Sequence, residues 1–169
     1  MPSAANVLLY VVIAAYVLYR VGYKQVRGTL LDRKTLTMLP LILVAVGAFL
    51  AAKAMPGASP AEFGLLVVDL VVLAGLGVLR STTTTLTERD GTTFQKGSAV
   101  TIGLWVLTIA VRVGLVALGT ALGVAGPLTT GSIVLTLGVS IAVQNATTYF
   151  RVQRRGLPLA ERRTAALSR

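Results

Sequence analysis

Five stretches of mainly apolar residues punctuate the chain, each within the roughly 17–25 residues that a membrane-crossing helix requires. They run over about 5–21, 36–52, 61–79, 98–118 and 132–149. Between them the polar residues gather in short connections, and a tail rich in arginine (151–169) follows the last. Pro40 falls in the first turn and a half of the second span, where a missing N–H costs least. The first span has no Lys or Arg before Arg20, so its charges lie behind the apolar run, the reverse of a secretory signal peptide. It reads as a true span with a short translocated N-terminus. The pattern predicts an all-α integral membrane protein with a five-helix bundle over 1–150 and a basic tail over 151–169.

Cationic residues alternate between the connections. The first connection holds Arg20, Lys24, Arg27, Arg33 and Lys34, the second only Lys53, the third Arg80, Arg89 and Lys96, and the fourth (119–131) none. The tail holds Arg151, Arg154, Arg155, Arg162, Arg163 and Arg169. Lys and Arg collect in cytoplasmic loops, so the N-terminus is expected outside and the C-terminus in the cytoplasm. Tyr16, Tyr19, Tyr23, Tyr149 and Phe150 lie at the inner ends of their spans, the headgroup level that such rings prefer. The expected location is a bacterial cytoplasmic (inner) membrane.

The third connection is not a plain loop. Residues 81–97 read STTTTLTERDGTTFQKG, and Asp90-Gly91 is a favoured pair for a two-residue type I′ hairpin. Thr-rich arms predict strands over about 83–89 and 92–96. A two-stranded hairpin is marginal in water, so it would draw support from the membrane surface, the tail or a partner. The alternative is a polar loop with a tight turn.

Composition sharpens this picture by exclusion. The 169 residues are 54% hydrophobic and 13% charged, half the charged share of an ordinary soluble domain. Histidine and cysteine are both absent. That removes disulfides, thiol redox chemistry, Cys or His metal sites and Cys–His catalysis. No nucleophile–base constellation, phosphate loop or metal-ligand cluster appears, so neither an enzyme nor a cofactor is expected. The net charge of +10 is what topology demands, and no nucleic-acid module accompanies it.

Two charges fall well inside spans, while Glu62 lies near the start of the third. Asp69 lies roughly 12 Å below the outer boundary of the third span, and Arg112 roughly 9 Å below the outer end of the fourth, at about 1.5 Å per residue. These spans are consecutive and antiparallel, so an Asp69–Arg112 ion pair facing the bundle interior is expected. Glu62, two turns before Asp69, and Trp105 and Thr108, before Arg112, share the same faces. Two readings stay open: a satisfied pair that fixes how two helices dock, and a polar site for an ion, a proton or an anionic headgroup. Gln144 and Asn145 in the fifth span fit interhelical hydrogen bonding or the lining of a cytoplasm-facing cavity. Small-residue spacing at Gly119/Gly123 and Ala110/Gly114 fits close packing within one chain or between copies. The tail suits anionic inner-leaflet lipid, with Leu157, Leu159, Ala160 and Leu167 allowing an interfacial helix after Pro158.

The order of these parts resembles the CcdC-like family of small bacterial membrane proteins. The residues that carry the resemblance are Lys34, Thr35 and Pro40 at the entry to the second span, the Asp90-Gly91 hairpin followed by Lys96 and Ser98, and Arg112 in the fourth span. They cover roughly residues 20–115, leaving the last span and the tail unmatched. The resemblance implies an association with cytochrome c biogenesis, and no catalytic residue carries over. With no Cys, no His and only Met1, Met38 and Met55, any role there would be indirect. Function is therefore expected to be non-enzymatic, through association with itself or with a membrane complex. The alternative is a small-solute, proton or ion pathway using Asp69 and Arg112.

Overall fold

The structure, a computed structural model, describes residues 28–89 and 91–159. In chain order these form β1 (Thr29–Leu30), α1 (Arg33–Ala54), a 3-10 turn (Met55–Gly57), α2 (Pro60–Thr82), β2 (Thr85–Arg89) and β3 (Thr92–Lys96). Then come α3 (Ala99–Ala121), α4 (Pro127–Gly131) and α5 (Ile133–Arg154). Four of these helices, α1, α2, α3 and α5, are long and apolar enough to cross a membrane, as a multi-pass membrane protein requires. The predicted first span, Asp90 and residues 160–169 lie outside the described residues.

The helix starts follow from their caps. Asp32 Oδ1 accepts from the Lys34 amide at 3.2 Å at the head of α1. Ser59 and Glu62 form a reciprocal capping box on α2, as do Ser98 and Thr101 on α3. Because α1 begins at Arg33, Pro40 sits two turns inside it rather than near its start. The fourth connection, marked in the sequence by its lack of cations, contains α4, a single short helix opened by Pro127.

The bundle is assembled around α5, which packs against α1 on one side and α2 on the other, while α3 packs on α2. Close approach is allowed by glycine. A Cβ on Gly47 of α1 would collide with the backbone of Leu135, and one on Gly77 of α2 would lie 2.5 Å from the carbonyl oxygen of Ser140. The distribution of polarity is inverted relative to a soluble protein. The buried residues of α3 are Thr101, Thr108, Arg112 and Gly119, whereas Val106, Leu107 and Val113 are exposed. Leu41 and Ile42 of α1 and Val67 and Val71 of α2 likewise face outward. Hydrocarbon offers helices no hydrophobic drive to associate, so van der Waals packing and interhelical hydrogen bonds hold such a bundle.

At one end of the helices lies a three-stranded antiparallel sheet in the order β1-β3-β2. The expected hairpin is there, with Thr87 opposite Phe94 and Arg89 opposite Thr92, and Gly91 takes φ 69° in its turn. The hairpin is not isolated. β1 adds a third strand too short to announce itself in sequence, and Thr93 donates through its amide (2.8 Å) and Oγ1 (2.6 Å) to the Pro158 carbonyl. Leu31, Leu36, Leu86 and Val152, with Leu157 and Leu159, form the apolar core beneath it. α5 continues past the expected boundary at residue 150. Arg151 is thus helical, and donates to the carbonyls of Ser81 and Thr84 rather than belonging to a free tail.

Candidate intramembrane polar site

Two groups of buried polar side chains lie along α2, about three turns apart. The first stands toward the α4 end of the bundle. Asp69, on the buried face of α2, accepts through Oδ2 an ion pair from Nη1 of Arg112 on α3. Arg112 Nη2 reaches past it to the Thr129 carbonyl at 2.7 Å, which α4 holds in place. Glu62 sits two turns earlier on the same face. Its Oε1 accepts from the Ser59 amide (3.1 Å), closing the capping box, and its Oε2 accepts from the Leu128 amide (3.0 Å) at the head of α4. A Cβ at Gly126 would lie 2.6 Å from Glu62 Oε1, so glycine is what lets this carboxylate lie against the start of α4. One ion pair and two helix heads therefore lock α2, α3 and α4 together. Asp69 Oδ1 and Arg112 Nε remain buried without a hydrogen-bond partner.

Of the other residues expected on this face, Thr108 is fully buried but bonds back to the Leu104 carbonyl of its own helix. Trp105 is not with Arg112. Its indole lies toward the sheet end of the bundle, where the guanidinium of Arg80 stacks 3.9 Å from the ring centroid. This corrects the assignment of Arg80 to a connecting loop, because α2 runs on to Thr82 and Arg80 has no exposed surface. The available signal was its position: Arg80 continues the buried face formed by Asp69, Leu73, Leu76 and Gly77.

Arg80 makes the second group. Its Nη2 donates to Ser140 Oγ on α5 at 2.6 Å, and that hydroxyl donates on to the Leu73 carbonyl at 2.6 Å. The remaining guanidinium atoms Nε and Nη1 are buried and unpartnered. Among the described residues no carboxylate pairs with Arg80. A buried charge without a counter-charge is expensive. Trp105 Nε1 and Gln144 Oε1 are also buried without partners.

Trp105 and Gln144 line a half-open cleft of about 440 Å³ at the sheet end, together with Asp32, Leu36, Ile141 and Asn145. The two amides of α5 thus part company. Asn145 Nδ2 donates to the Leu36 carbonyl of α1 at 3.0 Å, while Gln144 turns to the cleft. A separate, mainly apolar groove of about 460 Å³ lies between α1 and α5, lined by Pro40, Val44, Ala142 and Tyr149 among others. Gly91 stays in the hairpin turn between β2 and β3. No group of three or more Asp, Glu, His or Cys suited to a metal occurs among the described residues. Compared with known protein families, curated proteins and solved structures, the chain matches none.

Proposed function

We propose that this is a non-enzymatic protein of a bacterial cytoplasmic membrane, with five spans, N-terminus outside and C-terminus inside, that works by associating with itself or with a membrane complex. The observation that carries this reading is the open edge of β2. Among the described residues the sheet order β1-β3-β2 leaves this five-residue strand with a partner on one side only, on a platform braced by β1 and by Pro158. An edge strand presents a row of backbone donors and acceptors that another chain's strand can extend. The ion pair and the carboxylate at the helix heads fit the same reading, since their bonds run between helices. The resemblance to CcdC-like proteins adds a membrane setting without an activity.

The test is retention of a partner after mild detergent extraction, compared between wild type and the single variants Thr87→Pro and Glu88→Pro. Outward and inward backbone groups alternate along an antiparallel strand, so one of these two positions directs its N–H away from β3. Proline there removes an outward donor without breaking the β2–β3 ladder. Loss of the partner or of self-association in one variant supports the reading. Undiminished retention in both overturns it.

A second reading, a small-solute, proton or ion pathway through Asp69 and Arg112, draws on one observation: Asp69 Oδ1 is buried without a partner. A membrane-permeant carbodiimide should label Asp69 if water or protons reach it, and leave it unlabelled if the pair is sealed.

A further inference from the structure

Arg80 raises a question of charge balance. Asp69 is committed to Arg112, and Glu62 to the heads of α2 and α4. Glu88 stands exposed on β2 at the sheet surface. Residues 1–27 contain neither Asp nor Glu, so that segment brings no counter-charge either. Among the described residues Arg80 is left with a serine hydroxyl and an indole face. A cation–π contact offsets only part of the cost of desolvating a guanidinium.

The indole that covers Arg80 also lines the cleft, and its Nε1–H donor has no acceptor. Behind it the guanidinium, offset by the C-terminal end of α2 but paired with no described carboxylate, projects a positive field toward the cleft. Gln144, only 7% exposed, adds a side-chain amide to the same wall. The Trp105 N–H is covered in this structure, so an anion entering beside Trp105 reaches it only as the indole turns toward the cleft. It would then satisfy the idle N–H and offset Arg80 together. Asp32 lines the cleft as well, half-buried, with one carboxylate oxygen spent on its own helix cap. A ligand that fits both ends carries a negative and a positive group.

Position narrows the ligand further. Trp105 lies in the second turn of α3, and Leu36 and Leu39 in the first two turns of α1, about 10 Å or less from the helix starts. That is the level at which helices of this length leave the hydrocarbon and meet the headgroups. The cleft walls there include Leu31, Leu36, Leu39 and Ile141.

The geometry points to this cleft as a binding site for a zwitterionic aminophospholipid, its phosphodiester at Trp105 in the field of Arg80 and its ammonium at Asp32. The lipid compensates a buried charge for which no described residue supplies a partner.

The experiment is native mass spectrometry on full-length protein, delipidated in detergent and offered phosphatidylethanolamine, phosphatidylglycerol or soluble phosphoethanolamine at matched concentrations. Wild type should retain phosphatidylethanolamine in preference to the other two. Trp105→Phe keeps the ring over Arg80 but deletes the N–H, and should weaken that retention roughly tenfold, as loss of a hydrogen bond to a charged group does. Asp32→Asn keeps the helix cap, because Asn caps as well as Asp, and should bring phosphatidylethanolamine down to the level of phosphatidylglycerol. Both substitutions are conservative, and an unchanged melting temperature certifies the fold. Equal retention of the two lipids by wild type, retention of the soluble headgroup as strong as that of the lipid, or an unaltered Trp105→Phe variant would overturn the proposal.

Discussion

Asn145 on α5 donates through Nδ2 to the Leu36 carbonyl of α1, the oxygen that Pro40 leaves without its helical donor. In an α-helix the acceptor of residue 36 is served by the N–H of residue 40, and proline has none. A buried carbonyl without a donor is costly, and the amide on the neighbouring helix supplies one. The defect in α1 and the amide on α5 are therefore one feature, and they fix the register in which the two helices pack.

This pairing predicts strong coupling between the two positions. Asn145→Ala should lower detergent stability by about 1–2 kcal/mol, the scale of an interhelical hydrogen bond. In a Pro40→Ala background, where the helix supplies its own donor, the same change should cost a few tenths of that. Thermal melts of the two single variants and the double variant form the cycle. Additive costs would show that Asn145 acts independently of the proline.

How far such features can be read in advance depends on the range of the interaction. Hydropathy runs located α1, α2, α3 and α5 because membrane-crossing length is a property of consecutive residues. Depth arithmetic placed Asp69 and Arg112 at one level because both lie on spans joined by a short hairpin. Arg80 escaped because counting cations near span ends treats each as solvated, and burial under Trp105 is a contact across two helices. β1 escaped because two residues, Thr29 and Leu30, carry no periodicity. Five residues make α4, and only Pro127 hints at it. The support of the hairpin by Pro158 joins positions 65 apart and leaves no local trace.

Asp69 and Arg112 should behave as a buried pair whose halves cannot be removed singly. Asp69→Asn or Arg112→Gln should each destabilise the protein by about 3–5 kcal/mol, because one charge stays buried alone. The apolar double variant Asp69→Leu/Arg112→Met should be more stable than either single variant. The exchanged pair, Asp69→Arg/Arg112→Asp, should rescue only in part, since a carboxylate at 112 would face the Thr129 carbonyl where Nη2 now donates. Melting of the four variants against wild type checks this, and an apolar double variant worse than both singles would contradict it.

Gly77 and Gly75 offer a comparison on one helix. Gly77 faces α5 with its missing Cβ 2.5 Å from the Ser140 oxygen, whereas a Cβ on Gly75 meets nothing within 4 Å. Gly77→Ala should push α2 from α5 and cost about 1–3 kcal/mol, the usual penalty of overpacking. It should also disturb the Ser140 hydroxyl that links Arg80 to Leu73. Gly75→Ala should be neutral or stabilise slightly through helix propensity. Paired melts decide it, and equal effects would mean that the close contact carries no weight.

Thr93 governs how tightly the chain after α5 is held to the sheet. Its amide and hydroxyl both donate to the Pro158 carbonyl, and the side chain is fully buried. Thr93→Val preserves the shape and the amide bond but removes the hydroxyl donor, worth about 1 kcal/mol. Arg154 and Arg155, exposed at the end of α5, are the trypsin sites that opening of this segment frees. Cleavage there should accelerate about fivefold, the population change that 1 kcal/mol produces when opening is fast relative to cutting. Thr87→Val on β2, whose side chain is exposed, serves as the control and should leave the rate unchanged. Equal cleavage of Thr93→Val and wild type would mean that the amide alone holds the segment, and that the buried hydroxyl contributes only to packing within the sheet.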